Sequence, residues 1–340
     1  MRFIHIADTH LDASFSYLTQ KQNLGELRRL EQRESLRVLI DYIKTENIPY
    51  LFIAGDFYEQ EHIRLSTIQY VNNLFKEIPN TTIFISPGNH DPYIKNSYYN
   101  SFNWNPNVKI FDSNFQVCEF EDVCIYGFGF TDFTCTNFDL NNLKVKNNNK
   151  LNILVIHSSL DSSKTLDRGW NPIPLKAIEN AGFDYVALGH IHKTNLEENT
   201  NIIYSGSTLS LGLDEPGNHG AISVTLDKNN FKADFIKLDN REFITEIINV
   251  SEISSTEDLL QLIHTLSNNK NNFYKFILNG KRNFVVNTNN ILKLLQKENI
   301  LKIKDETTSN YNLTEIASQN NLKGIFVKNM LDKINDENKE

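Results

Sequence analysis

Five of the nine histidines in this 340-residue chain fall in an ordered series of short motifs. These are Asp8-Thr9-His10, Gly55-Asp56, Gly88-Asn89-His90-Asp91, His157 and Gly189-His190-Ile191-His192. Carboxylate, imidazole and amide donors together suit manganese, iron, zinc or magnesium better than a thiolate-seeking metal. Asp56 can bridge two ions, because a carboxylate has one oxygen for each. In an extended segment residues i and i+2 face the same way. Asp8 and His10 can therefore share an ion, and His190 and His192 can line the same pocket. Two ions about 3.5–4 Å apart would grip a phosphate and activate water against it. A lone D-x-H or a lone strand histidine carries little information, so the weight lies in the complete ordered set.

Each motif follows an apolar run. Residues 2–7, 49–54, 81–86, 123–128, 151–156 and 183–188 are rich in Ile, Val, Phe and Leu and end at Asp, Gly or His, as buried strands do. Residues 24–44 space Leu27, Leu30, Leu36, Leu39, Ile40 and Ile43 as a helical stripe, leaving charged residues for the solvent side. A second helix is predicted from Ser66 to about Glu77, with Pro79 as a stop signal. Strands alternating with helices predict an α/β layered domain whose strand ends aim loops into one cleft. Residues 202–250 read as successive antiparallel strands, with a tight turn at 227–230. Beyond residue 251 the pattern becomes helix (256–266), strand (272–278) and helix (290–298), which predicts domains at 1–250 and 251–340. The second part carries 12 basic against 11 acidic residues, the first 22 against 31. Residues after about 335 are polar and expected to fray.

Composition narrows the classes further. Hydrophobic residues are 40%, charged residues 22% and the net charge is −8, which disfavours a non-specific nucleic-acid coat but not a nuclease with acidic metal ligands. Cys118, Cys124 and Cys135 offer no C-x-x-C spacing, so reduced thiols are expected rather than a disulfide framework or zinc ribbon. No window approaches the roughly 18–20 apolar residues of a membrane helix. Asp8 interrupts the stretch that a secretory signal would keep apolar, so secretion is not expected.

The motif series resembles that of the calcineurin-like metallophosphoesterases. Within them it is most similar to the Mre11/SbcD-type DNA-repair exonucleases, including the bacterial YhaO-like members. Residues 5–15, 183–193 and 203–207, and Glu215-Pro216-Gly217 with Gly220, carry that similarity. It covers about residues 1–240, and the remainder agrees only in the order of elements. The resemblance implies a four-layer α/β/β/α sandwich with a small C-terminal α+β capping domain. It implies one ion on Asp8, His10, Asp56 and His192, and another on Asp56, Asn89, His157 and His190. His90 would stay off the metals and protonate the leaving 3′ oxygen. Also implied are manganese, a DNA substrate, a coiled-coil ATPase partner of Rad50/SbcC or YhaN type docked near Leu322, Ile325, Phe326, Val327 and Leu331, a homodimer and a cytoplasmic setting. The same ions would equally serve a phosphodiesterase acting on a nucleotide or phospholipid.

Two departures matter. Glu59 stands where nuclease relatives often have His or Asp, leaving the auxiliary role of that position open. The G-D-x-V-D-R-G sequence of protein serine/threonine phosphatases is absent, and Asp91 replaces their usual Glu, which disfavours a phosphoprotein substrate. Elsewhere His5 reads as a packed strand residue, and His62, His219 and His264 as solvated surface. His62 and Arg64 are candidate DNA-phosphate contacts, and Arg168 with Trp170 a candidate stacking pair. Asp12 reads as a loop residue, and Asp91 either orients His90 or closes a turn before Pro92.

Overall fold

A computed structural model describes residues 1–18, 23–134, 143–160, 172–198, 200–228, 230–310 and 313–337. They divide into two compact units, Met1–Glu242 and Phe243–Glu340. In the first, β1 (Arg2–Ile6), α1 (Leu24–Glu46), β2 (Tyr50–Ile53), α2 (Leu65–Lys76), β3 (Thr82–Ile85), α3 (Tyr98–Ser101) and β4 (Val108–Ile110) come in sequence. There follow β5 (Gln116–Glu119), β6 (Val123–Phe128), β7 (Leu151–His157), α4 (Leu175–Ala181), β8 (Tyr185–Gly189), β9 (Ile202–Tyr204), β10 (Gly220–Leu226) and β11 (Phe231–Lys237). One sheet has the order β11-β10-β1-β2-β3-β4, the other β5-β6-β7-β8-β9.

The alternation of side chains builds the layers. Ile4 and Ile6, Leu51 and Ile53, and Ile83 and Ile85 pack under α1 and α2 with Leu36, Ile40, Ile68 and Val71. The intervening Phe3, Phe52 and Phe84 turn the other way and meet Ile125, Ile153, Val155, Tyr185 and Ala187 of the second sheet. On that sheet's far side Leu154, Ile156, Val186 and Leu188 pack with Ile178 and Ala181 of α4. The result is the four-layer α/β/β/α sandwich. The strands read as unbroken apolar runs because both their faces are covered.

The stripe on α1 differs from its expected course. Leu27 and Leu30 are exposed, while Arg28 and Gln32 are buried. Arg28 donates to both oxygens of Asp239 (3.3 and 2.9 Å), to Glu31 (2.6 Å) and to the Ser210 carbonyl (2.8 Å). Apolar spacing cannot foresee this, since a buried guanidinium is tolerated only where distant residues satisfy it. The two short polar strands β4 and β5 also escape an apolar-run reading.

The stretch from 202 to 250 is not a run of antiparallel strands. Only β10 and β11 form a hairpin, closed by Asp227 and Asn230. β9 pairs in parallel with β8, and β12 (Phe243–Asn249) belongs to the second unit. There α5 (Thr256–Leu266), β13 (Phe273–Asn279), β14 (Lys281–Arg282), α6 (Thr288–Leu295), β15 (Ile300–Asp305), β16 (Thr308–Ser309), α7 (Leu313–Ala317) and α8 (Leu322–Glu337) follow. β12, β13 and β15 form a parallel sheet. Leu259, Ile263 and Ile291 of its two crossover helices pack with Tyr274, Phe276 and Leu278. Gln296 turns left-handed and ends α6 before the expected residue 298. α8 stays helical through Glu337, past the point expected to fray. Among the described residues no helix is long and apolar enough to cross a membrane.

Arg28→Ala would strand Asp239 in the interior. We expect it to lower the unfolding free energy by about 3–5 kcal/mol in urea titrations. Arg2→Ala, which removes an exposed partner of Glu46, should cost less than about 1 kcal/mol.

Candidate active site

The carboxyl ends of β1, β2, β3, β7 and β8 bring the candidate site residues together. Asp8, Asp56, Asn89 with His90, His157, and His190 lie at or just beyond these ends. The chain leaves the extended conformation there. Asp8 (φ 50°), His10 (φ 46°), Asp56 (φ 49°) and His190 (φ 103°) are all left-handed, although none is glycine. Asp8 and His10 are therefore aimed by backbone kinks, not by the alternation of an extended strand. Each such residue costs of order 1–3 kcal/mol. Specific bonds hold the conformation. The Asp8 N–H donates to Gly55 O (3.0 Å) and the His10 N–H to Asp56 O (2.9 Å). Gln32 of α1 donates to the Thr9 and His10 carbonyls at 3.1 and 2.8 Å.

The motif glycines allow close approach. A Cβ on Gly55, itself at φ +87°, would lie 2.3 Å from His157 Nδ1. One on Gly189 would lie 1.9 Å from the Ala54 carbonyl oxygen. That second contact joins the ends of β2 and β8, which belong to different sheets.

Three groups of donor atoms each gather within 4.8 Å: Asp8, His10 and His192; Asp8, Asp56 and His157; and His10, Asp56 and His90. His10 and His192 turn their Nε2 atoms toward each other at 3.3 Å. Their Nδ1 atoms bind Glu59 (2.7 Å) and Glu215 (2.6 Å) respectively. His157 Nδ1 binds the Ala54 carbonyl at 3.0 Å. Its Nε2 faces Asp56 Oδ2 at 3.2 Å and Asn89 Oδ1 at 3.0 Å. The His190 ring lies 5.3 Å from that of His157, and its backbone N–H donates to both Asp8 oxygens at 3.0 Å. His190 and His192 thus both lie against Asp8, the first through its backbone N–H and the second through Nε2 at 3.9 Å.

These contacts set the electrostatics. Burial disfavours the charged His157, yet Asp56 and Asp8 outweigh it and raise its pKa to about 9. His192 rises to about 9 against burial, through Glu215 and Asp8. Burial and the charge of His157 lower His190 to about 3, a neutral imidazole. Burial raises the Asp8 carboxyl, while His157, His10 and His90 overcome burial and hold Asp56 well below the carboxylate range. Glu59 also bonds His90 Nδ1 at 3.0 Å and raises that imidazole to about 9.

The donor set fits divalent cations. With Nδ1–H of His10 and His192 given to carboxylates, the neutral rings would turn two Nε2 lone pairs toward each other. His157 Nε2 faces two acceptor oxygens, which it satisfies with a second proton where no cation stands. A cation satisfies each arrangement, and the carboxylate, imidazole and amide donors suit manganese-like or zinc-like ions.

Other expected residues separate. Asp91 accepts from the Asp56, Phe57 and Gly88 N–H groups and the Tyr99 hydroxyl, so it clamps two site loops together rather than orienting His90. Asp12 is more than a loop residue: buried, it accepts from Arg33, Thr67 and the Arg64 N–H. His219 is buried rather than solvated, bonding Ser207 Oγ and the Glu215 carbonyl. His5 packs and bonds the Tyr185 hydroxyl. His62 lines a hollow of about 310 Å³ with His90, Phe15 and Leu211. Arg64 is exposed at the start of α2. Arg168 and Trp170 lie outside the described residues. Glu215 was visible only within the Glu215-Pro216-Gly217 segment that carries the family similarity, with no sign in the sequence that it reaches His192.

The chain is similar to known proteins. The calcineurin-like phosphoesterase family model matches residues 1–194. The uncharacterized metallophosphoesterase YhaO of Bacillus subtilis is 24% identical over 77% of this chain and 66% of its own length, so the match spans just under two thirds of that relative. The SbcD component of the SbcCD nuclease of Staphylococcus epidermidis is 28% identical over 98% of this chain and 94% of its own length.

Glu59 favours the charged His90, so its removal should lower that pKa. In the metal-free protein the His90 ring resonance should titrate near pH 9. In Glu59→Gln it should fall toward the ordinary value of about 6.5. Identical midpoints in NMR titrations would show that the contact does not form.

Proposed function

This chain belongs to the calcineurin-like phosphoesterase family, and we propose that it is a metal-dependent DNA nuclease that hydrolyses phosphodiester bonds in DNA repair. In this reading Asp8, His10, Asp56 and His192 hold one divalent ion, and Asp56, Asn89, His157 and His190 the other, with Asp56 shared. When bound, the ions, manganese in this proposal, supply Lewis-acid stabilisation of the phosphate oxygens and acidify the attacking water.

His90 carries the reading. Its side chain is 47% exposed, against 3% or less for His10 and His157. The Glu59 bond occupies Nδ1, so Nε2 remains for substrate. An imidazole held protonated beside a scissile phosphate can give its proton to the departing 3′ oxygen. Glu59 thereby does two jobs, steadying a metal ligand and keeping the acid charged. The hollow beside His90 has room for a nucleotide's worth of atoms, and His62 on its wall would meet backbone phosphate. DNA is the proposed substrate because the SbcD relative, named as part of a nuclease, matches nearly the whole chain.

The proposal extends to the second unit as a DNA-capping and partner-docking domain, within a cytoplasmic homodimer. Along α8, Leu322, Ile325, Phe326, Met330 and Ile334 are exposed at helical spacing. Such a stripe suits docking on the coiled coil of a Rad50/SbcC- or YhaN-like ATPase.

Degradation of a labelled linear duplex with Mn²⁺ tests the function. Wild type should cleave, and metal-loaded His90→Asn should lose roughly 10²–10⁴-fold in rate. Equal rates would overturn the acid assignment. Hydrolysis of small diesters with no DNA cleavage would overturn the substrate. Phe326→Glu should abolish co-purification with the ATPase while leaving cleavage by the isolated protein intact.

A further inference from the structure

Glu215 ties the candidate metal site to a loop far away in sequence. We propose that Glu215 is a positioning residue that fixes His192 for one of the two ions. The inference rests on the metal-site reading above and assigns a residue outside its ligand set.

The geometry leaves His192 little freedom. Glu215 Oε1 accepts from Nδ1 at 2.6 Å, so the neutral ring presents its lone pair inward at the other nitrogen. That Nε2 lies 3.9 Å from Asp8 Oδ1 and 3.3 Å from His10 Nε2. Two nitrogens each about 2.1 Å from one ion would stand about this far apart at a tetrahedral angle. A carboxylate behind a ligating imidazole sets its tautomer, limits its rotation and strengthens it as a donor.

Glu215 is itself held on every acceptor. Its Oε2 takes the Leu211 N–H at 2.7 Å. Its carbonyl takes Ser210 Oγ at 2.8 Å and His219 Nε2 at 3.0 Å. Ser210 is anchored in turn, its N–H donating to Asp239 and its carbonyl accepting from Arg28. A side chain wanted only for surface charge would not be restrained in this way. The bracket reaches from the buried Arg28–Asp239 pair to one imidazole, and Leu211 on the same loop lines the hollow beside His90. His157 is oriented by a neutral carbonyl instead. Loss of Glu215 should therefore be felt by the ion that uses His192 and not by the one that uses His157.

Mn²⁺ binding to the full chain, followed by electron paramagnetic resonance of the free ion, tests this. Wild type, Glu215→Ala, His192→Ala and the double variant are compared. Wild type should bind two ions, and Glu215→Ala should weaken one of them about 10–100-fold and spare the other. In the His192→Ala background Glu215→Ala should add no further loss. Unchanged affinities, or the same loss with and without His192, would overturn the inference while leaving the two-ion reading in place. Absence of two ions in wild type would instead overturn that reading, and the inference with it. If circular dichroism shows the alanine variant unfolded, Glu215→Gln replaces it. Gln can serve His192 or the Leu211 N–H with its one oxygen but not both, so some weakening of the same ion is still required.

Discussion

Two buried carboxylates have to coexist with a crowd of imidazoles a few ångströms away, and the rest of the first unit serves that requirement. Asp8 and Asp56 are both almost fully buried. In an apolar interior they would neutralise by taking up protons. Asp56 does not have to, because His157, His10 and His90 hold it charged, whereas burial raises Asp8 in spite of His192, His157 and His10. This balance holds only if the ends of five strands from two sheets stay in register. The aromatic layer of Phe3, Phe52 and Phe84 against the second sheet provides that rigidity. The left-handed residues at the strand ends are tolerated for the same reason: packing on both sides leaves them no relaxed alternative.

Much of this was legible in the sequence, for a definite reason. Strands covered on both faces must be largely apolar, so residues 123–128 and 151–156 declare themselves, as does His157 after the second. The four-layer arrangement followed from the family resemblance rather than from periodicity. What stayed hidden were interactions that close only over long separations. Arg28 and Asp239 are 211 residues apart, and His192 meets Glu215 across a loop. In a one-dimensional reading Arg28 is simply a charged helix residue and Leu30 a core one, and the fold exchanges their roles. The convergence of Asp8 and His10 was anticipated for the wrong reason. Alternation along a strand would have aimed them together, but the strand has already ended and two positive-φ residues do the aiming.

The same contacts divide the site into unlike halves. On the side of His10 and His192, both imidazoles are backed by carboxylates, Glu59 and Glu215, and Asp8 stands beside them. On the side of His157, the backing group is the Ala54 carbonyl and the facing oxygens come from Asp56 and the neutral Asn89. An imidazole hydrogen-bonded to a carboxylate is a stronger donor than one bonded to an amide oxygen. Two ions placed here would meet different fields, the first half holding its ion more firmly. Glu59 connects that half to the chemistry, since the carboxylate that backs His10 also charges His90. Under the proposed function this arrangement would let one side anchor its ion while the other adjusts to the phosphate, and would place His90, the proposed proton donor, under the control of the anchored side.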